Sequence, residues 1–516
     1  YYWNGENGWT TTEAGTWFNM KSGPDPWKYY LGTSTATSNG YWTSGHKYKI
    51  QCKAYDLAGN EQSVFGEAIY YFDNMPSTSV VNVPINGDSY NSLPEISGSG
   101  SDGGSGVYPA GVDYVEVRIK DPDGNYWDEG NKVWVSEIWN LATGSTSWSI
   151  SITTSAWISD KVYTINSRAY DKVEYPSRNV EINYSTYTFL YDVVKSTSTV
   201  NQPIDQRYYS SLNLITGTSY DKTTGVDTTE ISIQRYNDPY KDYYWNGSTW
   251  TVVESWLPYT GGSAVNWELS VSTSAWKSGD RYRIKSRAKD KTKHSANIED
   301  ISTKPGNIFT FDNISPQSTI VEPQAKGYNE LGEIRVSATD NASGTYPAGV
   351  GKVKISLQID PNGSPPGDFW DGTNGPGHFT SSEEVWAEAT WSAPYWRVSI
   401  SSTTWLSGHQ YRIRAKSEDS VPDNPNVEVA GSGVIFSIDN LAPSSVFVAP
   451  EDGKSYNSLA EIEGTASDDA SGVKEIWITI LNQTAIPNLY YQAPGWATGI
   501  KWLKCTGTTE WYYISP

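Results

Sequence analysis

Trp157-Ile-Ser-Asp160-Lys-Val-Tyr163-Thr-Ile-Asn-Ser-Arg-Ala169 sets a tight turn before a run that alternates apolar and polar residues. Period two is the signal of a half-buried strand. The same alternation runs through Val115-Glu-Val-Arg-Ile119 and Trp148-Ser-Ile-Ser-Ile152. The Trp and Tyr six residues apart return as Trp42 and Tyr48, Trp276 and Tyr282, and Trp405 and Tyr411. Eight residues after each Tyr stands an Asp: Asp56, Asp171, Asp290 and Asp419. A turn, a strand entered by Tyr and an Asp able to bond the next turn's amides form one device. With no convincing helical period elsewhere, an antiparallel β-sandwich with one face of each strand turned inward is expected.

Working outward, the device belongs to a long repeat. Its units open at Val80-Val-Asn-Val-Pro84, Val200-Asn-Gln-Pro203, Ile320-Val-Glu-Pro323 and Val446-Phe-Val-Ala-Pro450, which places the starts 120, 120 and 126 residues apart. A period of this length marks an array of structural units. The division is a half-unit at 1–79, complete units at 80–199, 200–319 and 320–445, and a second half-unit at 446–516. Each complete unit is long enough to bury its own core. Aromatic residues make up 14% of the 516, with 45 Gly and 27 Pro, which suits short strands joined by turns. A formal net charge of -20 argues against nucleic acid or an anionic membrane surface as partner. No apolar run has the length needed to span a bilayer. Two cysteines fit an extracellular protein that avoids thiols or a cytosolic one, and the acidic, Ser/Thr/Gly-rich, Lys-poor composition points to the cell exterior.

Two further motifs recur. One reads Asp102-Gly-Gly-Ser-Gly106, Asp221-Lys-Thr-Thr-Gly225, Asp340-Asn-Ala-Ser-Gly344 and Asp468-Asp-Ala-Ser-Gly472, with Asp and Gly four apart in every copy. The other marks the joints: Phe72-Asp-Asn-Met-Pro76, Phe311-Asp-Asn-Ile-Ser-Pro316 and Ile438-Asp-Asn-Leu-Ala-Pro443. The remaining joint, Tyr191-Asp-Val-Val-Lys195, lacks both Asn and Pro and is expected to bend differently. With these motifs the chain resembles the bacterial Ig-like tandem repeats of large exported surface proteins and adhesins. The resemblance implies an all-β array of immunoglobulin-like sandwiches, here carrying Trp-rich insertions, and an extracellular shaft or fibre without catalysis.

Four insertions contain Tyr2-Trp3-Asn4-Gly5, Tyr126-Trp127-Asp128, Tyr244-Trp245-Asn246-Gly247 and Phe369-Trp370-Asp371-Gly372. Exposed rings at Trp3, Trp127, Trp245 and Trp370 would make a glycan-binding surface. The alternative is a hairpin whose rings cover the sandwich or its neighbour. Asp73, Asp312 and Asp439 at the joints, with Asp340, Asp468 and Asp469 in the turns, are candidate Ca²⁺ ligands, although none forms a dense calcium loop. Catalysis finds no nucleophile elbow, metal-binding His pair or phosphate loop. Cys52 and Cys505 lie in the two half-units and are candidates for an inter-chain disulfide. The half-units suggest head-to-tail assembly by mutual completion, or a chain that continues; both end in an extended fibre.

Overall fold

The computed structural model describes residues 1–3, 9–11, 17–19, 27–29, 41–103, 106–174, 177–237, 239, 241–341 and 343–514. The Asn4–Gly5 turn lies outside them. The described residues form strands, with 3-10 turns such as Thr154–Ala156 between them.

The first complete sandwich contains β1 (Thr78–Val83), β2 (Ser89–Tyr90), β3 (Glu95–Ser101), β4 (Val112–Lys120), β5 (Tyr126–Asp128), β6 (Val133–Val135), β7 (Asn140–Leu141), β8 (Thr143–Gly144), β9 (Ser147–Ser151), β10 (Lys161–Asp171) and β11 (Thr186–Tyr191). One sheet has the order β8-β9-β3-β1; the other runs β6-β5-β4-β10-β11-β2, with β7 paired to β4. β2 lies parallel to β11, through Ser89 with Leu190 and Tyr90 with Tyr191. This is the Ig-like arrangement, in which the first strand serves one sheet and a short continuation crosses to the other. The same pair of sheets returns around Val226–Arg235 with Asp280–Asp290, and around Val350–Ile359 with His409–Asp419. Before them stands the hairpin His46–Cys52 with Gly66–Phe72, and after them the sheet of Ser444–Ala449, Glu461–Ser467 and Glu510–Ile514.

The core explains why the repeat keeps its aromatic residues. Trp157 donates its indole N–H to the Leu93 carbonyl at 2.8 Å, while the Tyr163 hydroxyl accepts the Ile158 N–H at 2.7 Å. Trp276 with Tyr282 and Trp405 with Tyr411 repeat both bonds. One ring ties the loop before β3 to the turn before β10, and the other closes that turn. Both are buried, so each polar tip meets a partner as burial requires. A third ring decides a glycine. Trp148 sits over Gly98, where a Cβ would lie 2.2 Å from its Cζ2, and Trp267 over Gly217 and Trp511 over Gly464 do the same. Val336 takes the glycine's place in the remaining unit, opposite Trp396, which is only half-buried there.

The insertions fold back on this core. Trp134, Trp250, Phe379 and Trp9 stand 5.3–5.9 Å from Tyr163, Tyr282, Tyr411 and Tyr48 respectively. Each insertion hairpin therefore lays an aromatic ring against the tyrosine that enters the long strand.

Candidate functional site at the joints between sandwiches

The features shared by every boundary are carboxylates. The aspartate that follows the last strand of each unit, Asp73, Asp192, Asp312 or Asp439, takes one bond from the unit behind it and one from the unit ahead. Asp312, fully buried, accepts from Ser278 Oγ at 2.6 Å through Oδ1 and from the Ala348 N–H at 2.7 Å through Oδ2. Asp73 repeats this with Ser44 and Ala110 at 2.6 and 2.7 Å. Asp439 uses Ser407 and the Ser471 N–H, and Asp192 uses Ser159 and the Thr224 hydroxyl. The serine is the one in each Trp-x-Ser turn. One carboxylate thus fastens two consecutive sandwiches, and bonds to an ionised acceptor are stronger than neutral ones.

A second aspartate caps the loop of the following unit. Asp221 and Asp468 accept the N–H of Gly225 and Gly472, but Asp102 and Asp340 accept from Gly111 and Gly349. All four glycines have φ between 80 and 82°. The uniform Asp-to-Gly spacing of four is therefore not a structural equivalence. In two units the loop is longer, and Gly106 and Gly344 instead press on Gly45 and Gly279 of the preceding sandwich. Tyr108 and Tyr346 then donate their N–H to the Gly45 and Gly279 carbonyls. Before the short Asp221–Gly225 loop, Asp160 occupies the glycine's place at φ 67° and bonds Lys222 and Thr223 by its side chain, whereas Gly408 keeps that place before Asp468–Gly472. The joint without Asn and Pro thus keeps its aspartate and replaces backbone contact with ionic contact.

The third aspartate ends the long strand. Asp419 accepts the Val421 and Asn426 N–H groups, and Asn426 Nδ2 donates both to Asp419 at 2.5 Å and to the Asp312 carbonyl at 2.9 Å. Asn297 spans Asp290 and Asp192 in the same way, as Asn179 spans Asp171 and Asp73. These asparagines belong to a motif the strand reading missed: Asn179-Val-Glu181, Asn297-Ile-Glu299 and Asn426-Val-Glu428. Its signal was recurrence seven or eight residues after the Asp, in segments without a period.

Oxygens of Asp192, Asp221 and Asp290, of Asp312, Asp340 and Asp419, and of Asp439, Asp468 and Asp469 each converge within 4.8 Å. Of the candidate ligands, Asp312 does meet Asp340, and Asp439 meets Asp468 and Asp469. The sequence reading omitted Asp419 and the whole Asp192 group, while Asp73 is not in such a cluster among the described residues. Burial pushes the Asp340 carboxyl up to about 6, with the Asp312 charge adding to it. Asp102 and Asp192 are raised by burial too. Most of these oxygens already accept N–H or O–H bonds; Asp340 Oδ1 and Asp102 Oδ1 are buried without one. A hard cation needs six to eight oxygens, so each cluster offers a partial set that water and carbonyls would have to complete.

The tryptophans named for sugar binding are elsewhere. Trp127 and Trp370 are 2% and 3% exposed, in the cores of their own units. Trp245 packs on its core from a half-buried position, and Trp3, also half-buried, stands edge-on to Trp9 and Tyr41. The adjacent polar residues close turns: Asn246 accepts from Ser248 and Thr249, and Asp371 from Thr373. The rings turn inward because the hairpin that carries them folds over the sandwich. Cys52 and Cys505 are both free thiols, and Cys505 lies in the core of the last half-sandwich. An inter-chain bridge through it requires that core to open.

No family model and no curated protein matches the chain. Among solved structures it is similar to a tetra-tandem repeat from the extending region of a large adhesion protein, at 15% identity over 86% of this chain and 91% of that one, TM-score 0.28. It is also similar to a 1.5-MDa bacterial ice-binding adhesin, at 13% identity over 67% and 90%, TM-score 0.27. A third is the FN1–FN3 region of chicken CNTN1, at 10% identity over 71% and 99%, TM-score 0.22.

Proposed function

We propose that the chain is a load-bearing spacer, a tandem β-sandwich rod of an extracellular surface protein, fibre or adhesin shaft. The observation that carries this reading is the joint aspartate, whose single carboxylate is bonded to two sandwiches at all four boundaries. A surface built for catalysis has no need of such a fastening, whereas a rod that must hold its direction does. Small-angle scattering tests it on the 516-residue chain. The expected result is a long, narrow distance distribution that collapses in Asp312→Ala, which frees one boundary. An already compact or random-flight distribution for the parent chain would refute the spacer reading.

A second reading concerns the clusters. Asp312, Asp340 and Asp419 converge, and one of their oxygens, Asp340 Oδ1, is buried and unbonded, which favours a counter-cation such as Ca²⁺. Titration calorimetry with Ca²⁺ is expected to yield heat that Asp340→Asn reduces by the share of its own cluster, and the absence of heat in the parent chain rejects it.

Filament formation has its own support. Ile50 in the first half-sandwich is 49% exposed, although its counterpart Ile165 in the complete unit is fully buried. An added half-sandwich, from a continuing chain or a second copy, would cover this face. Sedimentation velocity at rising concentration distinguishes a self-completing chain, which grows, from one that stays monomeric.

A further inference from the structure

One glutamate ties the first strand of each complete sandwich to the opposite sheet. In the first complete unit it is Glu181, 7% exposed. Its Oε2 accepts the Ser79 N–H at 2.9 Å and the Ser79 hydroxyl at 2.7 Å, both from β1, and the Ala169 N–H at 3.0 Å from β10. Glu299 holds Ser198 and Ala288 in the next unit, and Glu428 holds the N–H groups of Ser318 and Ser417 in the one after. The carboxylate is never replaced by a side chain of another kind in a complete unit. The preceding half-unit carries an amide instead: Gln62 accepts the Ala54 N–H at 3.1 Å.

The position of this contact matters more than its chemistry. β1 is an edge strand, paired only with β3 in its sheet. It begins five residues after Asp73, the residue through which a pull from the preceding sandwich arrives. Tension leaves the unit at Asp192, directly after β11. A pull applied at these two points slides β2 along its parallel partner β11 and drags β1 along β3. Close to the point of entry, the carboxylate between Ser79 and Ala169 joins β1 to the other sheet, with the Ser79 hydroxyl also donating to Ser167 Oγ at 2.8 Å.

We propose that Glu181, Glu299 and Glu428 are mechanical latches: each keeps the edge strand closed on the second sheet, so that tension crosses directly between sheets instead of peeling the strand away. The unit with Glu299 has the strongest latch. There Lys304 Nζ reaches Glu299 Oε1 and Ser198 Oγ, both at 2.8 Å, and compensates the buried charge. The other two carboxylates accept from uncharged N–H and hydroxyl donors.

The load in this proposal rests on the spacer reading, but the latch itself is testable without load. Hydrogen exchange on the intact chain compares Glu181→Gln with its parent. The amide keeps the shape and one acceptor oxygen but loses the negative charge on which the three donors converge. The expected result is exchange at least tenfold faster in Thr78–Val83, with Tyr163–Arg168 unchanged. Acceleration spread evenly over both strands, or none at all, overturns the latch. Should the Gln variant not fold, Ser79→Ala removes only the hydroxyl and is expected to give the same localised change at smaller amplitude. Single-molecule pulling of the same chain then addresses the load. One of three unfolding events is expected to move to lower force in Glu181→Gln, and Lys304→Met to lower a different one. Unaltered forces alongside localised exchange would refute the load-bearing role while leaving the strand contact standing.

Discussion

Gly279 and Gly344 press backbone against backbone across the boundary between two sandwiches, so closely that a Cβ on Gly344 would lie 2.4 Å from the Gly279 carbonyl carbon. Neither side can yield, because the Gly279 carbonyl also accepts the Tyr346 N–H at 3.0 Å. Gly344→Ala is therefore expected to pry the joint apart while leaving each sandwich folded. Overpacking of this kind costs about 1–3 kcal/mol. Small-angle scattering should show a broader distribution of lengths with little change in melting temperature. A variant indistinguishable from the parent would mean that the contact does not set the joint.

The Trp267 ring fills the notch at Gly217 and is fully buried. Trp267→Ala leaves a large cavity and is expected to cost about 3–5 kcal/mol in its unit. Denaturant unfolding followed by domain-resolved exchange should place the loss there and not in the unit of Trp396, whose ring faces Val336.

Tyr411 offers a finer test, since its buried hydroxyl accepts the Leu406 N–H at 2.7 Å. Tyr411→Phe leaves that N–H unpaired and should cost about 1–3 kcal/mol. The change is expected in the midpoint of chemical unfolding, not in its slope.

Acidity bears on the joint through Asp340, raised from 3.8 to about 6 in the fold. A carboxyl whose folded value is raised holds its proton more tightly in the native state. Its contribution is fully present below pH 3.8 and is lost as pH rises through about 6. The joint should accordingly soften between those values, and Asp340→Asn should raise the melting temperature at pH 8 more than at pH 4. An equal effect at both pH values would show that the proton is not held there.

Legibility in the sequence followed the reach of each signal. The Trp157 and Tyr163 device was readable because its partners are local: Tyr163 bonds the residue five before it. The strand alternation that begins at Tyr163 was readable for the same reason. The joint aspartates stood out by repetition, yet their partners did not. Asp312 finds Ser278 on one side and Ala348 on the other, each more than thirty residues away, and no period encodes that convergence. The Asn-x-Glu motif went unread because its residues act on neighbours over a hundred positions off, as Glu181 does on Ser79. Gly106 and Gly111 show the opposite error. Equal spacing in sequence suggested equivalence, and a loop longer by five residues moved the cap to another glycine.

By itself the sequence determined the class of structure and the strands at the centres of the sandwiches, since alternation and turn chemistry act between neighbours along the chain. Only the tertiary structure decided that Trp127 and Trp370 face inward and that aspartates from two sandwiches meet at each boundary. Both depend on how a hairpin folds over a sheet and how one unit sits on the next. Burial and charge proximity are properties of that packing, and residues far apart in sequence acquire them only when it forms.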